Sequence, residues 1–437
     1  MTSVKFGIDR LLAEPELRKP LEGRRVALLA HPASVTADLT HSLDALAAAG
    51  VNLTAAFGPQ HGLRGDKQDN MVESEDFTDP VHQIPVFSLY GEVRRPTGQM
   101  LSTFDTILVD LQDLGCRIYT FITTLLYVLE AAAETGKSVV VLDRPNPAGR
   151  PVEGLALREG WESFVGAGPI PMRHGLTLGE LGQWFVDHFK LDVDYRVIDM
   201  QGWRPGEGPG FGWPDDRIWI NPSPNAPNLN MARCYAGTVM LEGTTLSEGR
   251  GTTRPLELFG APDIEPRRLV EQMRRLAPEW LQGCKLREVH FEPTFHKHVG
   301  KLCAGLQVHA EGRFYEHHAF RPWRLQALAF RRSAGSIPTM SCGATSLTNM
   351  RSAGFRSTSS TAHPCFVNGS TAIQPRTTSK PWLCQTSGTG RSSASHTCAT
   401  DARLGAWNRN RCEIIESAKV NFKSSGVEMN KLAVLLA

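Results

Sequence analysis

Arg25-Val-Ala-Leu-Leu-Ala-His31 decides the fold: five apolar residues run without a polar interruption between an arginine and a histidine. A half-exposed strand alternates polar and apolar side chains, so a short continuous run like this one reads as a strand buried on both faces. Residues 51–57, 85–89, 106–110 and 138–143 repeat the pattern. Between and after them, residues 42–49, 119–135 and 177–189 carry helical periodicity. Buried strands separated by helices predict an α/β fold with a parallel sheet covered on both faces, over a domain at 1–190. From 191 the pattern changes. Strands near 193–199, 235–242, 286–292 and 302–309, with one helix at 265–276, predict a smaller mixed α/β domain at 191–332.

Ligands of parallel α/β sheets sit beyond the carboxyl ends of the strands, and the polar clusters fall there. Gly58-Pro-Gln60-His61-Gly-Leu-Arg64-Gly-Asp66 follows the second strand. Asp110-Leu-Gln-Asp113-Leu-Gly-Cys116-Arg117-Ile-Tyr119 and Asp143-Arg144-Pro-Asn146-Pro end two more. Met172-Arg-His174-Gly precedes a helix whose Thr177 and Glu180 have capping-box spacing. The most polar stretch is Leu241-Glu242-Gly-Thr-Thr-Leu-Ser-Glu248-Gly-Arg250-Gly-Thr-Thr253-Arg-Pro255, where glycines allow close approach and the polar side chains suit a ligand rich in hydroxyls or acids. The second domain would add Asn225, this loop, His296 and His298. No Gly-x-Gly-x-x-Gly or Walker loop is present, so no nucleotide cofactor is expected. His61 and His174 lack ligand spacing, so no metal is expected either.

The net charge of +2 averages unlike parts. Residues 1–332 hold 36 Lys and Arg against 41 Asp and Glu, net −5; residues 333–437 hold 11 against 4, net +7. The body is therefore acidic, and a nucleic-acid partner loses its main support. No stretch suits a membrane span. The opening Met-Thr-Ser-Val-Lys-Phe-Gly-Ile-Asp-Arg lacks the apolar core of a secretory signal, which predicts a cytoplasmic protein. Oligomeric state is not legible.

Between Glu316 and Asp401 there is no carboxylate, and residues 333–400 contain 26 Ser or Thr without apolar periodicity. Such a segment cannot offset its ordering entropy. Codons compatible with Ile337 onward, read one nucleotide earlier, give His-Pro-Asp-Tyr-Glu-Leu-Trp-Arg-Asp-Phe-Pro-Tyr-Glu-Tyr-Glu-Val, with the aromatic and acidic content that the visible text lacks. The sequence thus points to a frameshift near residues 331–335 and a poorly folded, out-of-frame tail at 333–437.

The order of the clusters at 58–65, 87–91, 110–120, 142–147, 163–166, 173–180 and 242–255 resembles the bacterial exo-β-N-acetylmuramidases of the NamZ type. The resemblance implies a Rossmann-like catalytic domain with a C-terminal auxiliary domain, and hydrolysis of terminal N-acetylmuramic acid from muropeptides or muramyl saccharides in cell-wall recycling. Glycosidic cleavage needs a carboxylic acid and a second carboxylate. The candidates are Asp69, Glu73, Glu75, Asp110, Asp113, Glu242 and Glu248. Asp110 and Glu248 lead, with Glu73 and Glu242 behind. Burial at its strand end would suit Asp110 to an acid; equally, it would pair with Arg117 or Arg144 to hold loops. Arg64, Arg144 or Arg250 would take the lactyl carboxylate. Gln60, His61, Asp113, Arg117, Tyr119, Asn146, His174, Asn225 and Thr253 complete the expected substrate contacts, and Trp213 and Trp219 read as sugar platforms or as core. The family often carries Glu where Gln60 stands, and Gln cannot exchange a proton. Rival readings are a sugar-acid-binding protein without turnover, an amidase or esterase using Ser88 or Cys116, and a non-functional product. The leading reading requires His61, Asp110, Arg144, His174 and Glu248 to converge on one cleft.

Overall fold

Each residue of Val26–Ala30 (β1) is buried, because the strand lies inside a sheet sandwiched between helices. The computed structural model describes residues 4–67, 72–205 and 213–333. Along the chain follow β2 Leu53–Gly58, β3 Phe77–Thr78, β4 Pro85–Ser88, β5 Thr106–Asp110, β6 Ser138–Leu142, β7 Glu153–Ala156, β8 Pro171–Arg173 and β9 Asp194–Ile198. Among the described residues, seven of these form one sheet in the order β3-β4-β2-β1-β5-β6-β9. All its pairings are parallel except that of β3 with β4. β7 and β8 form a separate antiparallel ribbon.

The helices are α1 Gly7–Ala13, α2 Pro15–Arg18, α3 Ser42–Ala48, α4 Gly98–Leu101, α5 Phe121–Thr135, α6 Leu178–Phe189, α7 Leu229–Thr238, α8 Pro266–Leu276 and α9 Pro322–Ser333. Side chains of α5 and α6 bury one sheet face with Leu29, Phe57, Ile107 and Val139. Side chains of α1 and α3 bury the other with Leu28, Ala56, Leu108 and Val140. Thr177 caps α6 as its spacing predicts: its hydroxyl accepts the Glu180 amide at 3.2 Å, and Glu180 accepts the Thr177 amide at 2.9 Å.

The rest of the described chain carries β10 Leu258–Ala261, β11 Lys285–Phe291 and β12 Cys303–His309, an antiparallel sheet in the order β10-β12-β11. α8 and α9 cover it through Leu269, Met273, Leu325 and Leu328. Two expectations are corrected here. The strand near 193–199 exists as β9, but it pairs with β6 at the edge of the first sheet. The strand expected at 235–242 is instead the end of α7 followed by a 3-10 turn over Val239–Gly243. α7 is buried almost all round, which removes the amphipathic period and leaves Thr238-Val-Met-Leu looking like strand. The segment 334–437 and candidate Asp69 lie outside the described residues.

Candidate active site

Between the first sheet and α7 lies a cavity lined by Gln60, His61, Leu114, Ile118, Tyr119, Thr120, Ser223, Asn225, Met231, Tyr235, Arg250 and Leu256. Its volume is about 40 Å3, room for about one water and far short of a pyranose. The polar lining comes from both halves of the chain. The Gln60 side-chain oxygen Oε1 accepts the Thr120 hydroxyl at 2.7 Å. His61 sits at φ 72°, next to Gly62 at φ 76°, and its Nδ1 lies 2.7 Å from the Lys67 carbonyl oxygen. Burial pushes the Tyr119 and Tyr235 hydroxyls well above the usual phenol range, so both remain neutral hydrogen-bonding groups.

Two carboxylate clusters flank this cavity. On one side Arg250 contacts Glu242 through Nη2 and Glu248 through Nε, the latter at 3.3 Å. Glu248 is fully buried and also meets Lys297 Nζ at 2.9 Å and His296 Nδ1 at 3.2 Å. Burial opposes its charge, but His296, Lys297 and Arg250 together outweigh that and hold the carboxyl down at about 2. Glu242 remains partly exposed, at 29%. On the other side buried Asp113 accepts the Gly115 amide at 2.6 Å through Oδ2, which lies 3.2 Å from His174 Nε2. His174 Nδ1 accepts the Leu176 amide at 3.2 Å, which leaves Nε2 to carry the proton; Nε2 lies close to Asp113 but makes no hydrogen bond among the described residues. Asp113 Oδ1 is buried with no hydrogen-bond partner among the described residues.

The N-terminal domain profile of exo-β-N-acetylmuramidase NamZ matches residues 26–230, and the C-terminal profile matches 233–348. The peptidoglycan β-N-acetylmuramidase NamZ of Bacillus subtilis is 43% identical over 313 residues, 71% of this chain and 73% of the relative. The chain belongs to the NamZ exo-β-N-acetylmuramidase family. It is therefore a glycosidase. Two solved DUF1343 family proteins from Bacteroides fragilis share the fold. One has a TM-score of 0.67 at 32% identity, covering 77% of this chain and 83% of its own; the other has 0.58 at 26%, covering 77% and 92%.

In this NamZ-family chain the expected convergence of five residues on one cleft is not met: His61 lines the cavity, whereas Asp110, Arg144, His174 and Glu248 do not. Gln60, His61, Tyr119, Asn225 and Arg250 line the cavity. Asp110 is fully buried, with Arg144 Nη2 at 2.9 Å and the Ser42 hydroxyl as partners, and Arg144 also donates to the Val35 carbonyl at 2.9 Å. This ion pair sits at the carboxyl ends of β1 and β5, the point at which the strand order reverses, and Arg144 there lines a separate small cavity with Val35 and Gln112. Asn146 is likewise committed, its Oδ1 accepting the Ala148 and Gly149 amides and its Nδ2 donating to Leu176. Arg117 donates to the Leu155 and Ile170 carbonyls, both at 2.7 Å.

Glu73 and Glu75 are exposed, Glu73 pairing with Arg94 at 3.0 Å; Arg64 lies exposed over the Phe77 ring, and Thr253 is exposed. Trp213 and Trp219 pack on each other at 5.1 Å between centroids, and Trp219 Nε1 donates to the Ala226 carbonyl, a packing role. His298 Nε2 lies 2.7 Å from the Thr245 carbonyl oxygen. Cys116 is buried with its thiol pushed up to about 12, and Ser88 Oγ accepts the Tyr90 amide, so neither is set up as a nucleophile. Sequence reasoning missed Tyr235, because its segment read as a strand, and Ser223 and Lys297, for which no motif spoke. Thr120 lay unremarked inside a quoted motif. Among the described residues, no three His, Cys, Asp or Glu side chains are grouped to hold a metal ion.

Proposed function

We propose that this protein is an exo-acting muramidase that removes a terminal N-acetylmuramic acid residue from peptidoglycan fragments, with Glu242 and Asp113 as its working carboxylates. The observation that carries the reading is the cavity at the junction of the two halves, polar on both walls, with a carboxylate cluster on either side. The exo-acting mode is that of the family whose profiles the chain matches. Arg250, which borders the cavity and already handles carboxylates, is the candidate ligand for the lactyl carboxylate. Burial and the two neighbouring glutamates act oppositely on its guanidinium, and the glutamates prevail, so it stays charged.

The carboxylates divide by environment. Glu248 is ionised throughout the neutral range and encircled by cations, which suits holding charge and not donating a proton. Asp110 is consumed by Arg144. Glu242 keeps solvent access beside Arg250, and Asp113 has an unused buried oxygen, which makes them the better candidates for proton transfer and for stabilising the oxocarbenium-like transition state. Asn225, Tyr119 and Tyr235 would orient hydroxyls or the acetamido group. The test is release of chromophore from a chromogenic N-acetylmuramide, with the N-acetylglucosaminide as control. Turnover of the muramide alone supports the reading; tight binding of N-acetylmuramic acid without any turnover would favour a sugar-acid-binding protein.

A further inference from the structure

Three consecutive side chains, His296, Lys297 and His298, all reach the segment that carries Glu242 and Glu248. An extended chain would send neighbours to opposite sides. Here His296 at φ 69° and His298 at φ 57° break the alternation, at a cost of about 1 kcal/mol or more apiece. What the strain secures is a strap. Thr294 donates to the Gly251 carbonyl through its amide at 3.0 Å and its hydroxyl at 2.8 Å. The fit leaves no slack: a Cβ at Gly251, where φ is 82°, would stand 2.7 Å from both the backbone nitrogen and oxygen of Phe295.

Lys297 is the centre of the strap. Its ammonium has three acceptors, the Leu241 carbonyl at 2.7 Å, the Leu246 carbonyl at 3.1 Å and Glu248 Oε2 at 2.9 Å, which match its three protons. The first two bracket Glu242 in the chain. The third neutralises a carboxylate that would otherwise be left with the His296 ring at 3.2 Å and Arg250 Nε at 3.3 Å, and a buried carboxylate demands a counter-ion. Glu242 and Glu248 are thus matched against Arg250 and Lys297.

We propose that Lys297 is a positioning and specificity-determining residue: by taking up the charge of Glu248 and pinning the backbone on either side of Glu242, it reduces the anionic charge that Arg250 must neutralise largely to that of Glu242, so that the guanidinium can also bind an acidic substituent on the substrate sugar. This deepens the muramidase reading and rests on it. Without the lysine, Glu248 would compete with an incoming carboxylate for the same guanidinium, so the loss would fall on acidic sugars and spare neutral ones.

The experiment is calorimetric titration of the full chain and its variants with N-acetylmuramic acid and with N-acetylglucosamine. The unaltered protein should prefer the acid, and Lys297→Met should lower that preference by about tenfold or more while the neutral sugar binds within about twofold of its original affinity. Lys297→Gln, which keeps a donor for the two carbonyls but not the charge, should behave like Lys297→Met, and Lys297→Arg should regain much of the preference. Should Lys297→Met fail to fold by circular dichroism, Lys297→Gln gives the same reading. An unchanged preference, or equal loss of both ligands, in a folded variant overturns the proposal. Arg250→Met separates the two levels. If it too leaves the preference intact, the reading of Arg250 itself fails; if it abolishes the preference while the lysine variants do not, only the role of Lys297 fails.

Discussion

The Asp143 carboxylate accepts the Thr177 hydroxyl at 2.7 Å through Oδ2, which ties the end of β6 to the start of α6. Its Oδ1 accepts the Gly179 amide at 2.9 Å. Burial raises this carboxyl to about 7, against the opposing pull of those two donors. The folded pKa lies above the unfolded value of 3.8, so the native state binds the proton more tightly. The stabilisation is complete below the unfolded value and is lost as pH rises through about 7. Asp143→Asn, which stays neutral and can meet both partners, should show a flatter pH profile. Measured as Tm, the wild type should fall relative to the variant by roughly 5 °C or more between pH 5 and pH 8. Parallel profiles would show that the carboxyl is ionised across this range.

Glu242→Gln and Asp113→Asn should each lower kcat on a muramide by about a hundredfold or more, since removal of an acid-base group acts on the transition state. Tm should change little for Glu242→Gln, which is partly exposed. Asp110→Asn should do the reverse. It leaves Arg144 buried without its counter-ion, a cost of about 3–5 kcal/mol, and it should cut stability far more than turnover per folded molecule. Near-normal kcat in both of the first two variants would return the search to Glu73 and Glu75.

Gln60 offers a gain-of-function test. Its side-chain oxygen already holds the Thr120 hydroxyl inside the cavity, so Gln60→Glu adds a titratable group without new bulk. Turnover of the muramide should rise or stay level. A marked fall, with folding intact by circular dichroism, would show that a second acidic group at this position is harmful and that the amide is part of the working site.

The sequence beyond Arg332 carries its own check. Resequencing the DNA that encodes residues 331–336 should reveal a one-base displacement, and the frame-restored protein should express more solubly and melt higher than the chain as written. An uninterrupted frame at those codons would end the frameshift account.

The first sheet was legible because its central strands are buried on both faces and announce themselves as uninterrupted apolar runs; β5 was expected at 106–110 and is found at Thr106–Asp110. α6 was legible through Thr177 and Glu180, a local signal that needs no tertiary context. α7 was not, because burial on all sides erases helical periodicity. A Cβ on its Gly237 would come within 2.1 Å of the Pro322 carbonyl oxygen, a helix crossing invisible in either segment alone. The polar clusters were found at the strand ends, yet composition could not tell Asp110, saturated by Arg144, from Asp113, which keeps a free buried oxygen. That difference is one of partners, and the partners lie tens of residues away.

Glu153, on β7, bears on how this protein can change over evolutionary time. Buried and lifted above its usual range by that burial, it accepts the backbone amide of Arg324 at 3.0 Å and that of Trp323 at 3.4 Å, capping α9 from another part of the chain. Beside it Arg173, on β8, donates to the Phe320 carbonyl at 3.2 Å. A helix start satisfied by a distant carboxylate cannot be swapped for a homologous segment unless the donor ribbon travels with it. Recombination between relatives should therefore keep 153–173 and 320–324 from a common parent, and chimaeras that separate them should inherit a buried, uncompensated charge at the seam.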